Sequence, residues 1–433
     1  MLPPRFLLKN YRLLSDSGKS AASDLLVENG KVQSIDPAGT LKARPEDAVL
    51  EGEGDLLVPL GIDLQIHLRY PGQPEKETPD TGLRAALRGG IGAVVTMPNT
   101  KPVLDTPEAL RTAVEGVRPY EDLYGVKVFF SVAMTLGQAG LLAVDAGALK
   151  EAGAVALTDD GRGVANDEVM AELFRVSAES GLPLLQHAEV PGHGAHLAAG
   201  PVQKKLGLKA YPAEAESAMI ERDLKLLAQH PGARYHVLHL SSVKSLDVIK
   251  RYKDKGLVFS CEVTPHHLYF SSDDIQEGNT NFKMNPPLRS PADRKALVEG
   301  LDSGLIDCMS TDHAPHEGSR KGPDFEASAF GCTGLETSFR VLLTLCQRGE
   351  LRESRLNEVF SGFATRFLNL NRQDGWGSIM VGQGLKAAAW RVTDSEPVQL
   401  SDLESLSKNN CFLGAELRGK IRSVFNEKGL FRF

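Results

Sequence analysis

Ten of the eleven histidines in this 433-residue chain fall at the C-terminal end of a predicted strand or in the loop just after it; only His230 does not. On the first such strand Gln65 and His67 stand two apart, so they project to one side, and Arg69 follows. Asp159 and Asp160 end the fourth strand, His187 the fifth, and His236 and His239 the sixth. His266 and His267 follow the seventh; Asp312, His313 and His316 follow the eighth. A lone histidine is usually a surface group or a satisfied core residue. Asp159-Asp160-Gly161 alone is an ordinary turn, and TDHAPH a capped loop. Imidazoles and carboxylates delivered together from separate strand ends are what a zinc site requires. The spacing therefore points to a metal-dependent hydrolase.

The elements that must position these groups are eight short apolar runs, at residues 56–68, 91–98, 126–134, 154–160, 182–187, 235–241, 257–263 and 306–312. Between them lie segments such as DEVMAELFRVSAES and EAESAMIERDLKLLAQ, whose apolar residues recur at three and four, the helical spacing. Eight buried strands with intervening helices predict a (β/α)8 barrel, whose catalytic face is the C-terminal end of its strands; the pattern alone also fits an open doubly wound sheet. Residues 1–55 and 375–433 read differently, as short alternating segments with turn residues between them. Neither end has enough apolar residues for its own core, so both are expected to form one small β domain beside a barrel over 56–374. RGGIGA precedes a strand, so it reads as a tight helix-to-strand turn and not as a nucleotide loop.

Composition narrows the partners. With 42% hydrophobic and 24% charged residues the chain is ordinary for a globular protein, and a net charge of −7 gives nucleic acid no footprint. No apolar run reaches the eighteen residues of a membrane span, and the start, MLPPRFLLKNYRLL, has no signal-peptide pattern. The five widely spaced cysteines suit a reducing cytoplasm. A cytoplasmic protein acting on a small molecule is expected.

At IDLQIHLRYPG, KETPDTGLRAALRGG, TMPNTKPVLD, ALTDDG, LQHAE, YHVLHLSS, TPHHL, KMNPPLR, STDHAPH and FGCTGLET the chain resembles the type I dihydroorotases of the amidohydrolase superfamily. The likeness runs from about residue 59 to 370, with the motifs in the family's order. Related allantoinases and hydantoinases bridge their metals with a carboxylated lysine, where this chain has Asp160. The resemblance implies that Asp160 bridges two metals; it is chosen over Asp159 because it stands 27 residues before His187. It implies His187 and His239 in the second metal site, and His67 and Asp312 in the first, with Asp312 also shuttling the proton. Arg69, Asn99 and His316, helped by Asn285, would hold the substrate's carboxylate. His236, His266 and His267 would be structural.

The chain departs from the family at Gln65, which replaces the first histidine of a His-x-His pair. A neutral amide is a poor zinc ligand beside imidazole. The expectation is therefore one tight Zn2+ site, with the second weak or absent. Milder departures are Leu60 inside the usual Pro-Gly, Lys386 and Ala388 in place of two aspartates, and Asn410-Cys411 in place of Thr-Pro. Three functions follow from the resemblance: an active dihydroorotase; a non-catalytic partner of aspartate transcarbamoylase; and a cyclic amidase acting on a hydantoin-like ring, which Arg69 and Asn99 argue against. The partners it implies are a small-molecule substrate and either further copies of the chain or an aspartate transcarbamoylase.

Overall fold

The computed structural model describes residues 3–14 and 21–433; residues 1–2 and 15–20 of the expected N-terminal β segment lie outside the described residues. Eight parallel strands form the barrel: β1 (Gly61–Ile66), β2 (Ile91–Thr96), β3 (Lys127–Val132), β4 (Ala154–Leu157), β5 (Leu184–Gln186), β6 (Tyr235–Val237), β7 (Ser260–Val263) and β8 (Cys308–Met309). Each pairs with the next in chain order. The ring closes through a parallel bridge between Ile66 and His313, with the His67 amide donating to His313 O at 2.8 Å.

The helix Asp167–Ser180 shows why the connecting segments fold as they do. Asn166 caps its start by accepting from the amides of Glu168 and Val169, and Gly181 ends it in the left-handed conformation. Its apolar spacing buries Met170, Leu173 and Phe174 against the strands. Each such side chain contributes about 1.5–3 kcal/mol by leaving water. RGGIGA makes the tight turn expected of it. Gly89 ends the helix Pro79–Arg88, and Gly90 (φ 72°) turns the chain directly into β2.

The first predicted strand is in fact two. Leu56–Pro59 pairs antiparallel with residues 387–390, in a sheet built from both chain ends, and the chain enters the barrel only at Gly61. Pro59 has no amide proton for a continuous ladder, and the next amide, that of Leu60, still donates to Lys386 O. That sheet runs in the order Gly429–Arg432, Glu416–Asn426, Ala387–Pro397, Leu56–Pro59, Arg5–Leu13, Ala22–Glu28, Lys31–Pro37, with Ala48–Glu51 also beside Arg5–Leu13. Between its strands, residues 404–409 reach back to the barrel. The amide of Leu406 and the hydroxyl of Ser405 donate to Glu77, and Asn409 Oδ1 accepts from the His316 amide at 3.0 Å. No helix among the described residues is long and apolar enough to cross a membrane.

Candidate active site

The barrel strands are shorter than the apolar runs that predict them, and the residues released beyond their ends carry the polar chemistry. His67 and His187 follow β1 and β5 directly, while His239, Asp160 and Asp312 stand two or three residues past β6, β4 and β8. Arg69 (φ 58°), His239 (φ 32°) and Asp312 (φ 48°) have left-handed backbones, which cost side-chain-bearing residues about 1–3 kcal/mol each. The surroundings hold them there. Asp63 accepts from the Thr311 amide at 3.1 and 3.2 Å, fixing the turn into Asp312. Gly331 (φ 116°) has no room for a Cβ, which would lie 2.5 Å from that of Ala314, so the two loops pack backbone to side chain.

These ends surround a cavity of about 200 Å³, sized for a small ring compound and lined by His67, Arg69, Asn99, Asp160, His187, His239, Asn285, Asp312 and His316, together with Phe330. Asp160 divides its oxygens between two sets of donors. Oδ1 lies 3.7 Å from His187 Nδ1 and 3.8 Å from His239 Nε2, which are 2.9 Å from each other. Oδ2 lies 3.3 Å from His67 Nε2, itself 3.0 Å from Asp312 Oδ1. Ligands on a tetrahedral zinc with bonds of about 2.0–2.1 Å stand about 3.3 Å apart, and the ligand atoms of Asp160, His187 and His239 bracket that spacing, so the three could hold such an ion after small shifts. Gln65 donates Nε2 to Asp160 Oδ1 at 3.1 Å, while its buried Oε1 has no partner.

The pocket's field favours a cation. Burial opposes charge on Asp160, but the facing His239, His67 and His187 imidazoles hold its carboxyl well below the usual range. Burial likewise opposes charge on His239, yet the facing Asp160 and Asp312 carboxylates raise it to about 9. His316 is pushed down to about 2 by burial and by the positive charges of Arg69 and Lys76, so its ring is neutral. Arg69 donates Nη2 to His316 Nε2 at 3.2 Å, placing the His316 proton on Nδ1, a buried donor with no partner. Burial lowers Arg69 only to about 10, and it stays charged at neutral pH.

Several histidines do other work. Asp159 faces away from the cavity and accepts from the amides of Met134 and Thr135. His236 lies within β6, bonded to Ser260 and Glu262, so it does not sit at the strand end expected of it. His267 contacts Pro286 O at 3.1 Å and so steadies the turn carrying Asn285. Asn285 itself lies on the His187 side, donating Nδ2 to Glu189 at 2.7 Å. Sequence reasoning passed over Glu189, which bonds His187 Nε2 at 3.0 Å; its position two residues after His187 in an extended stretch was the available signal. It also passed over Asn409 and Phe330, for which no local signal exists.

Comparison with known proteins agrees with this geometry. Residues 54–245 match the family model described as dihydro-orotase-like. A dihydroorotase of Desulforapulum autotrophicum is 37% identical over 420 residues, covering 95% of each chain. One of Bacillus licheniformis is 36% identical over 417 residues, covering 96% of this chain and 95% of that one. Among solved structures, an L-hydantoinase (dihydropyrimidinase) of Arthrobacter aurescens superposes with a TM-score of 0.84 at 25% identity, over 98% of this chain and 96% of the other. With a closed parallel barrel, a metal-ready pocket and relatives alike over nearly the whole length, the chain belongs to the dihydroorotase family of the amidohydrolase superfamily.

Proposed function

We propose that the protein is a cytoplasmic type I dihydroorotase, interconverting dihydroorotate and carbamoyl-aspartate in pyrimidine synthesis, with one tightly held Zn2+ on Asp160, His187 and His239. The observation that carries this reading is Asp160's division of its oxygens between two donor sets, beside the Arg69–His316 pair. Asp160, His187 and His239 would hold the zinc, which when bound would supply a nucleophile from water at neutral pH and polarise the amide carbonyl. Arg69 and the free Nδ1 proton of His316 bind the substrate's carboxylate, the guanidinium in two places. Asn99, whose Oδ1 accepts from His67 Nδ1 at 2.9 Å, lines the same side. Asp312 Oδ takes the proton of the attacking water and returns it to the ring nitrogen as the amide bond breaks.

Purified protein should hydrolyse dihydroorotate, lose activity to a chelator, and ignore hydantoins that lack a carboxylate. Faster turnover of such hydantoins would overturn the substrate assignment. Gln65 favours a second reading, a non-catalytic partner of aspartate transcarbamoylase. Its mark would be metal-free, inactive protein that co-purifies with a transcarbamoylase. The survival of every other donor and of Arg69, Asn99 and His316 supports the catalytic one.

A further inference from the structure

His187 uses its two ring nitrogens in opposite directions. Nδ1 faces His239 and Asp160, whereas Nε2 lies 3.0 Å from Glu189 Oε2 and 3.3 Å from Asn285 Nδ2, which has its shorter bond, 2.7 Å, to that same Oε2. An ionised carboxylate only accepts, so a neutral His187 carries its proton on Nε2 and keeps the Nδ1 lone pair for the pocket. Glu189 is itself held from two further sides. The Ala195 amide donates to His193 Nδ1 at 3.2 Å, which puts that ring's proton on Nε2, 2.6 Å from Glu189 Oε1. Asn285 donates to Oε2 at 2.7 Å. His193 packs against Tyr211 at a ring separation of 4.0 Å, so the donor is anchored by the loop after β5. The proposed reaction gives no role to Glu189, His193 or Tyr211.

We propose that Glu189 is a positioning residue: braced by His193 and Asn285, it presents His187 Nδ1 to the metal and sets how tightly zinc is retained. The inference rests on the reading of Asp160, His187 and His239 as zinc ligands. Carboxylate partners of metal-bound histidines fix the tautomer and raise ligand basicity, and losing one typically costs about 10–100-fold in metal affinity. The opposite side of the pocket has only a neutral acceptor in this role, Asn99 Oδ1 against His67 Nδ1.

The test compares wild type, Glu189→Gln and Glu189→Ala in two measurements. Zinc affinity is read by chelator competition, and the His187 tautomer by nitrogen-15 NMR of metal-free protein. Wild type should show the Nε2-protonated ring. Glu189→Gln, which can still accept through its amide oxygen, should keep that tautomer and lose about tenfold in affinity. Glu189→Ala should mix tautomers and lose up to about 100-fold. Unchanged zinc affinity in Glu189→Gln, or an Nδ1-protonated ring in wild type, overturns the proposal even if the alanine variant fails to fold. Zinc binding that depends on Glu189, without turnover of dihydroorotate, would sink only the proposed function. If wild type binds no zinc, the ligand reading fails and the retention claim with it, while the tautomer still judges the orientation.

Discussion

The two halves of the pocket share Asp160 but are finished differently. On one side His187 and His239 face its Oδ1, and Glu189, a carboxylate, backs His187. On the other, His67 stands at Oδ2 with Asp312 beside it, and a neutral amide backs His67. Gln65 does not leave a gap: its Nε2 donates to Oδ1, the oxygen that faces His187 and His239, and its own oxygen stays unpaired. A residue that donates to Asp160 competes with a cation for the same negative charge. The halves thus differ in their donors: two imidazoles, one of them backed by a carboxylate, against one imidazole backed by a neutral amide, and the proposed function gives metal retention to the first and substrate binding to the second.

Exchanging damage between the halves should give the largest effects. His239→Ala should remove bound zinc and lower turnover by roughly 10³-fold or more, since the ion supplies several kcal/mol of transition-state stabilisation. His67→Ala should keep its zinc; equal metal loss in both variants would erase the contrast. Next in size, Arg69→Ala should raise KM for dihydroorotate by about 10–100-fold with zinc retained, the loss expected for a charged hydrogen-bond pair of about 1.5–3 kcal/mol. An unchanged KM would place the substrate carboxylate elsewhere. Gln65→His should add close to a second zinc per chain by restoring an imidazole beside His67. If it gains neither metal nor rate, Gln65 is not the weakened ligand.

The smallest effect concerns the backbone beneath Gln65 and Asp312. Asp63 accepts from the amides of Gln65 and Thr311, and burial pushes its carboxyl up to about 7 against those hydrogen bonds. The folded chain therefore holds a proton there that the unfolded chain releases near pH 4, about the ordinary carboxylate value. Its contribution to stability is complete below about pH 4 and is lost as pH rises through about 7. Across that window the melting temperature of wild type should fall relative to that of Asp63→Asn. Parallel curves would show that Asp63 is ionised in the folded state.

The sequence carries these differences unevenly. Periodicity marks every barrel strand, and DEVMAELFRVSAES coincides with the helix observed. It could not separate residues 56–59 from 61–66, because both stretches are buried, and only their pairing partners tell them apart: residues 12–13 and 387–390 for the first, 91–96 for the second. Side-chain alternation brings Gln65 and His67 to one side, yet whether Gln65 offers its oxygen or its nitrogen to Asp160 is decided by contacts across the barrel. His236 is the second residue of the run 235–241, so the run itself gives no ground for placing it at a strand end, and it lies inside the paired strand. Asn409 holds the His316 amide from near the far end of the chain, a contact no spacing rule reaches.

The most direct test is zinc stoichiometry of the purified wild-type protein, measured on the same sample as its turnover of dihydroorotate. The account predicts close to one tightly bound zinc per chain, with activity that tracks it. Two tightly held ions, or an inactive protein with its zinc in place, would contradict it.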